Sequence, residues 1–336
     1  MILQPDALAE VISRLARADV VGLPTETVYG LAANADDATA VRHIYTLKGR
    51  PDDHPLIVHV VDATMVHHYA TAIPAFAERI MQAFWPGPLT LILPRRSGAA
   101  ERPAAGQDTV ALRCPAHPLM QAVLTQLLPL GIHGLAAPSA NRFGRVSPTT
   151  AQHVQDEFGP ELAVLDGGPC VVGIESTIVD CSRHTPVLLR PGAITVPQLE
   201  DVCGIRVLSK AEQATLAAPA PRAAGTLEAH YAPRARVRLM TGAELKQALT
   251  LLAQTTPTPG ATPRIAVWAR NLTAPPGAPV LARAMPQQAD ACAQALFAQM
   301  RCFDDAGVAL IWVETPPDGP DWDGVRDRLQ RAAASG

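Results

Sequence analysis

Residues 20–34 read VVGLPTETVYGLAAN. The apolar run Val20-Val21-Gly22-Leu23 predicts a strand over 19–23, which Pro24 closes. Three polar residues, Thr25-Glu26-Thr27, follow, and the chain then turns apolar again at Val28, Tyr29 and Leu31, with Gly30 permitting a tight path. A polar run between two apolar ones is either a turn or helix-cap fragment, or a set of ligand-binding groups at a strand's carboxyl end.

Working outward, short apolar runs alternate with helical patterns. Helices are expected at 5–18, 36–48 (capped by Asp36 or Asp37), 74–84, 117–128, 147–159 and 197–202. Strands are expected at 56–61, 89–94, 109–115, 135–141, 162–166, 174–180 and 186–190. The helix at 147–159 opens on Ser147-Pro148, which reads as an N-cap followed by an early proline. A mixed α/β domain over 1–207 results. Residues 208–233 are rich in Ala and Pro, carry no strand signal and read as a linker. Over 234–336 the pattern is simpler: strands at 236–240, 264–269, 279–284 and 308–314 alternate with helices at 242–254, 287–302 and 322–333. That alternation predicts a smaller, largely parallel α/β domain.

Bulk properties narrow the function classes. With 336 residues the chain is long enough for two domains, and 48% hydrophobic content suits folded cores. A net charge of −3 offers no global basic field for nucleic acid. The six cysteines lack CxxC spacing, so no zinc site is expected, and they read as reduced residues of a cytoplasmic protein. The N-terminal segment reads as an amphipathic helix and not as a signal peptide, and no membrane span is expected.

Five clusters hold the candidate chemistry. Lys48-Gly49-Arg50-Pro51, with His54 close behind, is a solvated basic turn or an anion site in which Lys supplies a point charge and Arg a fork of donors. His59 lies inside an apolar strand, as a satisfied core histidine or a ligand contact. Alternation puts Thr109, Ala111 and Arg113 on one strand face. Ser139, Asn141 and Ser147 end a strand, as plain turn residues or ligand hydrogen-bonders. The last two stretches are Gly173–Asp180 with Ser176, and Arg190 in LRPG. Four cations beside strand ends in a neutral domain fit a polyanion such as a nucleoside triphosphate, although neither a P-loop nor a GxGxxG fingerprint occurs.

Taken in order, PTETVYGL, LKGRP, HPL, WPGPLTLIL, VALRCPAHP, APSAN, SPT, GIESTIVD and LRPG resemble the Sua5/YrdC/YciO family over roughly residues 8–205. The domain after the linker resembles the C-terminal, Rossmann-like domain of the longer, Sua5-type members. The resemblance implies a twisted open mixed sheet bordering a large concave cavity. It also implies condensation of L-threonine, bicarbonate and ATP to threonylcarbamoyl-adenylate with release of pyrophosphate, a nucleotidyl transfer feeding the t6A modification of tRNA. Mg²⁺ would ride on ATP, and a tRNA threonylcarbamoyl transferase complex would be the functional partner.

Carried over residue by residue, the resemblance implies threonine contacts at Thr27, His59, Arg113, Ala137 and Ser176. It implies ATP contacts at Lys48, Arg50, His54, Thr109, Ser139, Asn141, Ser147, Arg190 and Tyr231, with Lys48 and Arg50 acting on the phosphates. His54 stands where relatives carry Asn, and 224–233 (AGTLEAHYAP) keeps only the HYAP half of the relatives' linker segment. The rival reading is a double-stranded-RNA-binding or regulatory protein without this activity. The neutral charge and an aromatic content of only 4% count against RNA binding.

Overall fold

Strands 57–59, 89–94 and 109–113 are β-branched or leucine-rich runs, and such runs are stable only when both faces are covered. The computed structural model describes residues 1–213, 221–226, 230–254, 264–271 and 278–335. The chain divides into two compact units, one comprising 1–143 and 147–226, the other 144–146 and 227–336.

The first unit contains β1 (Ile2–Leu3), β2 (Val21–Leu23), β3 (Gly30–Asn34), β4 (Ile57–His59), β5 (Leu89–Pro94), β6 (Thr109–Arg113), β7 (Leu135–Ala136), β8 (Val164–Leu165), β9 (Thr177–Asp180), β10 (Val187–Arg190) and β11 (Leu208–Ser209). They form one eleven-stranded sheet in the order β1-β8-β2-β3-β7-β4-β6-β5-β9-β10-β11. Its pairings are mixed: β4 runs parallel to β6, for example, and β5 antiparallel to β6. Helices cover both faces. Ala38–Lys48 and Ala75–Phe84 pack into a core with Val58, Leu91, Val110 and Leu112, while Leu8–Ala16 and Pro118–Leu127 close a second core over Val21 and Leu23.

The expected mixed α/β architecture is therefore observed, with local departures. Residues 30–34, read as chain returning to the core, form β3, which pairs antiparallel with β2 and β7. Gly and Ala carry little strand preference, so sheet context and not local propensity makes this strand. A Cβ on Gly30 would meet Ala137 Cβ at 3.1 Å, a tight approach that favours glycine there. The helix expected from Ser147 begins at Ala151, and its cap is Thr150, whose side chain accepts from His153 N. In the segment expected to be a strandless linker, β11 pairs with β10 and the helix Lys210–Gln213 follows. Its residues 214–220 and 227–229 lie outside the described residues.

The second unit holds β12 (Arg236–Met240), β13 (Ile265–Ala269), β14 (Val280–Ala284) and β15 (Leu310–Glu314), parallel throughout, in the order β12-β15-β13-β14. Helices Gly242–Ala253, Ala289–Asp305 and Asp323–Ala333 follow β12, β14 and β15, the first two as the crossovers that parallel strands require. Among the described residues, no helix is long and apolar enough to cross a membrane.

Candidate active site

The register of the large sheet sets three candidate positions, Arg190, Arg113 and His59, in one line with Thr90. Arg190 pairs with Ile178, Ile178 with Thr90, Thr90 with Arg113, and Arg113 with His59. Aligned neighbours share a face. The opposite face of these strands, with Leu91, Val110 and Leu112, belongs to the main core. On the face of the polar line, Ile57, Ile92 and Ile178 form a small apolar floor with Val187, Leu189 and Ala223.

The Thr-Glu-Thr run closes onto one end of this line. Thr25 Oγ1 donates to Val28 O at 2.6 Å, and its oxygen receives the N–H of Thr27 and of Val28, each at 3.2 Å. This local turn accounts for Thr25. Arg113 binds the other two. Its Nη1 donates to Thr27 Oγ1 at 2.7 Å, its Nη2 to Glu26 Oε1 at 2.6 Å, and its Nε to Gly87 O at 3.4 Å. Glu26 Oε2 accepts the backbone N–H of Ala116 at 3.0 Å. Arg113 and Glu26 are both buried, so the pair is desolvated and each charge depends on the other. His59 is buried beside them and is pushed down to about 3, first by burial and then by the Arg113 guanidinium, so its imidazole is neutral at physiological pH.

A hydroxyl pair continues the line. Thr90 Oγ1 and Ser176 Oγ lie 2.7 Å apart, both buried. Arg190 grips Ser176 twice, with Nε on its carbonyl at 3.0 Å and Nη2 on its hydroxyl at 3.2 Å, and reaches Ala224 O with Nη1 at 2.9 Å. The chain crosses tightly here: a Cβ on Gly192 would stand 2.5 Å from Thr177 N, so only glycine fits in the LRPG turn.

The basic cluster is positioned by a helix ending. Asp37 caps Ala38–Lys48 by accepting from Thr39 N and Ala40 N. Gly49, at φ 61°, terminates it in a left-handed turn, with Gly49 N bonded to Thr46 O and Arg50 N to Tyr45 O. The reversal leaves Lys48 buried, donating from Nζ to Ser139 O at 2.5 Å and to Asn141 O at 2.6 Å. Burial, assisted by Arg50, holds the Lys48 ammonium well below the usual lysine range, against Glu157 and Glu175, which raise it. Arg50 Nη2 donates to Pro55 O at 3.0 Å, and the guanidinium lies 5.7 Å from the Phe143 ring centre. His54 meets the same ring edge-on and is lowered by its burial and then by Arg50. Ser147 donates to the buried carboxylate of Glu175, a side-chain role that replaces the expected cap. Ala137 donates its N–H to Ile57 O at 3.0 Å.

Two candidates stand apart from these contacts. Thr109 begins β6, four residues before Arg113, and is half-buried opposite Pro94. Tyr231 belongs to the second unit, at φ 63°, with its ring against His230 and Phe297 and under the Arg328 guanidinium. Two residues join the site beyond the sequence candidates, Thr90 and Glu175, and Glu26 takes an ionic role on Arg113. The signal for Thr90 was a lone hydroxyl inside the apolar run LTLILP.

Comparisons with known proteins give the family and the fold. Residues 13–192 match the Sua5/YciO/YrdC family model, described as "Telomere recombination". Residues 194–334 match one described as "Threonylcarbamoyl-AMP synthase, C-terminal domain". The chain is 37% identical over 329 residues to the threonylcarbamoyl-AMP synthase of Bacillus subtilis (strain 168), covering 97% of this chain and 92% of that protein. It is 42% identical over 225 residues to that of Pyrococcus abyssi (strain GE5 / Orsay), covering 66% of this chain and 64% of that protein. The fold is similar to P. abyssi Sua5 complexed with L-threonine, with a TM-score of 0.85, 33% identity, and coverage of 100% of this chain and 98% of that one. The chain belongs to the Sua5/YciO/YrdC family.

Proposed function

We propose that the chain is an L-threonylcarbamoyladenylate synthase, an enzyme that condenses L-threonine, bicarbonate and ATP and releases pyrophosphate. The observation that carries the reading is the buried line of Arg113, His59, Thr90 and Ser176 closed by Thr27. A guanidinium fork beside hydroxyl groups suits an amino acid with a carboxylate and a side-chain hydroxyl. In Arg113 each terminal nitrogen uses one N–H in the contacts above and keeps a second for a carboxylate.

In this reading Thr27, His59, Arg113, Ala137 and Ser176 hold threonine. Lys48, Arg50, His54, Thr109, Ser139, Asn141, Ser147, Arg190 and Tyr231 serve ATP. The neutral threonine amine attacks carbon dioxide, forming the N–C bond of a carbamate as one C=O π pair moves to oxygen and the nitrogen releases a proton to solvent; attack on bicarbonate instead breaks its C–OH bond, and water leaves. A carbamate oxygen then attacks the α-phosphorus, and the bond to the bridging oxygen of pyrophosphate breaks. Such nucleotidyl transfer needs positioning and charge neutralisation, which a set of Lys, Arg and hydroxyl groups supplies without a nucleophilic triad. Lys48 and Arg50 are the groups for the phosphates. The desolvated Lys48 ammonium gains a charge partner when they arrive. Mg²⁺ would enter with ATP, since the donors around the phosphate positions are cationic and suit phosphate oxygens. The product would pass, in the cytoplasm, to the tRNA threonylcarbamoyl transferase that makes t6A.

The test is pyrophosphate release with Mg-ATP, bicarbonate and L-threonine, each omitted in turn. Turnover requiring all three is expected, with a loss of about 10²–10³-fold on removing a phosphate-facing donor as in Lys48→Ala. ATP turnover independent of threonine, or full activity in the Lys48→Ala/Arg50→Ala double variant, would sink the reading.

A further inference from the structure

We propose that Glu26 makes the threonine subsite selective for zwitterionic ligands, acting as a specificity-determining residue that balances Arg113 before substrate arrives. The inference rests on the functional reading above. Its basis is a local balance of buried charge. Arg113 is the cation that a ligand carboxylate would meet, and it already carries the Glu26 carboxylate at 2.6 Å, with both side chains buried. Glu26 is held on its other oxygen by Ala116 N at 3.0 Å, so turning it away from Arg113 would break both contacts. His59 is neutral. Burial pushes the nearby Cys114 and Cys170 thiols up to about 11 and about 12, so both are uncharged at neutral pH. Burial also lowers His117, which lies within electrostatic reach of Glu26.

The subsite therefore holds one positive and one negative charge. A ligand that brings only a carboxylate would leave a net negative charge in a desolvated pocket, which is costly. A ligand that brings a carboxylate and an ammonium keeps the balance. Each Glu26 oxygen accepts one hydrogen bond in the contacts above and retains capacity for another, so the carboxylate offers the compensating attraction for an ammonium. Arg190, with Nη2 on the Ser176 hydroxyl at 3.2 Å, stands at the far end of the line, three strand steps from Arg113, and in the functional reading above serves the ATP phosphates.

The test is titration calorimetry on the full chain at neutral pH. The ligands are L-threonine and the 2,3-dihydroxybutanoate of matching stereochemistry, which replaces the ammonium by a hydroxyl. Wild type is expected to prefer threonine by about tenfold or more. Glu26→Gln, whose pocket carries an uncompensated Arg113, is expected to lose most of that preference, and Glu26→Asp to restore it in part. A merely structural Glu26 would weaken both ligands together and leave their ratio unchanged, which overturns the proposal. If Glu26→Gln fails to fold, the wild-type ratio decides alone: equal binding of the two ligands overturns it. Threonine binding without discrimination defeats this inference only, whereas no threonine binding at all defeats the functional reading as well.

Discussion

The two sheets of this chain differ at their aligned central positions. In the four-stranded sheet the aligned central positions are apolar: Val237, Ile311 and Ala266 form one line across three strands, and Val313 beside Trp268 another. Its buried carboxylate, Glu314, sits at the end of β15, where it accepts the N–H of Arg270 at 2.7 Å. In the eleven-stranded sheet the line from His59 to Arg190 places two guanidinium groups, an imidazole and a hydroxyl inside the strands themselves. A fold does not need these groups for stability, since apolar residues of similar size serve a core as well or better. Burying them costs free energy that only complete pairing offsets. Ligand binding along this line, as proposed above, accounts for that difference.

Breaking the polar line should therefore do two kinds of damage, and breaking the apolar sheet only one. The largest effect is expected for Arg113→Ala, which strands the buried Glu26 charge. Denaturant unfolding should show a loss of about 3–5 kcal/mol, and calorimetry no measurable threonine binding. Thr90→Val leaves Ser176 without its hydroxyl partner. It should cost about 1–3 kcal/mol of stability and weaken threonine, with Thr90→Ser close to wild type.

His59 gives a pH signature. Its folded value, about 3, lies below the ordinary 6.5, so the unfolded chain takes up a proton first as pH falls. Its contribution is complete above pH 6.5 and is lost progressively between 6.5 and about 3. His59→Gln should flatten stability against pH in that window by up to about 1.4 kcal/mol per pH unit, measured by urea titration at several pH values. The smallest effect is expected in the other sheet, where Ile311→Val removes one buried methylene. It should cost about 1 kcal/mol in unfolding and leave threonine affinity unchanged; a loss of affinity would erase the contrast between the sheets.

Much of the fold was legible because its strands are short, apolar and bounded by Pro or Gly. LTLILP and TVALR appear as read, with Val110 and Leu112 in the core and Arg113 on the other face. β3 was missed because Gly-Leu-Ala-Ala-Asn has weak strand preference and is held by neighbours on both sides. β1 and β11 are two-residue pairings that exist only through β8 and β10, so no local pattern announces them. The same holds for the site. Lys48 and Arg50 were visible as a basic pair after a helix, and the left-handed Gly49 explains their spacing. The partnership of Glu26 with Arg113 joins residues 87 positions apart, and that of Ser147 with Glu175 joins residues 28 apart. Sequence offers the candidates for such pairs but not the pairing. The polar run after Pro24 thus divides its labour: Thr25 builds the turn, while Glu26 and Thr27 hold Arg113.

The most direct test of the central claim is a crystal structure of the full chain with L-threonine. The account predicts the carboxylate on the terminal nitrogens of Arg113, within hydrogen-bonding distance, with Glu26 still bound to the same guanidinium and the ligand beside Thr27 and Ser176. Threonine bound elsewhere, with Arg113 making no contact to it, would contradict the account.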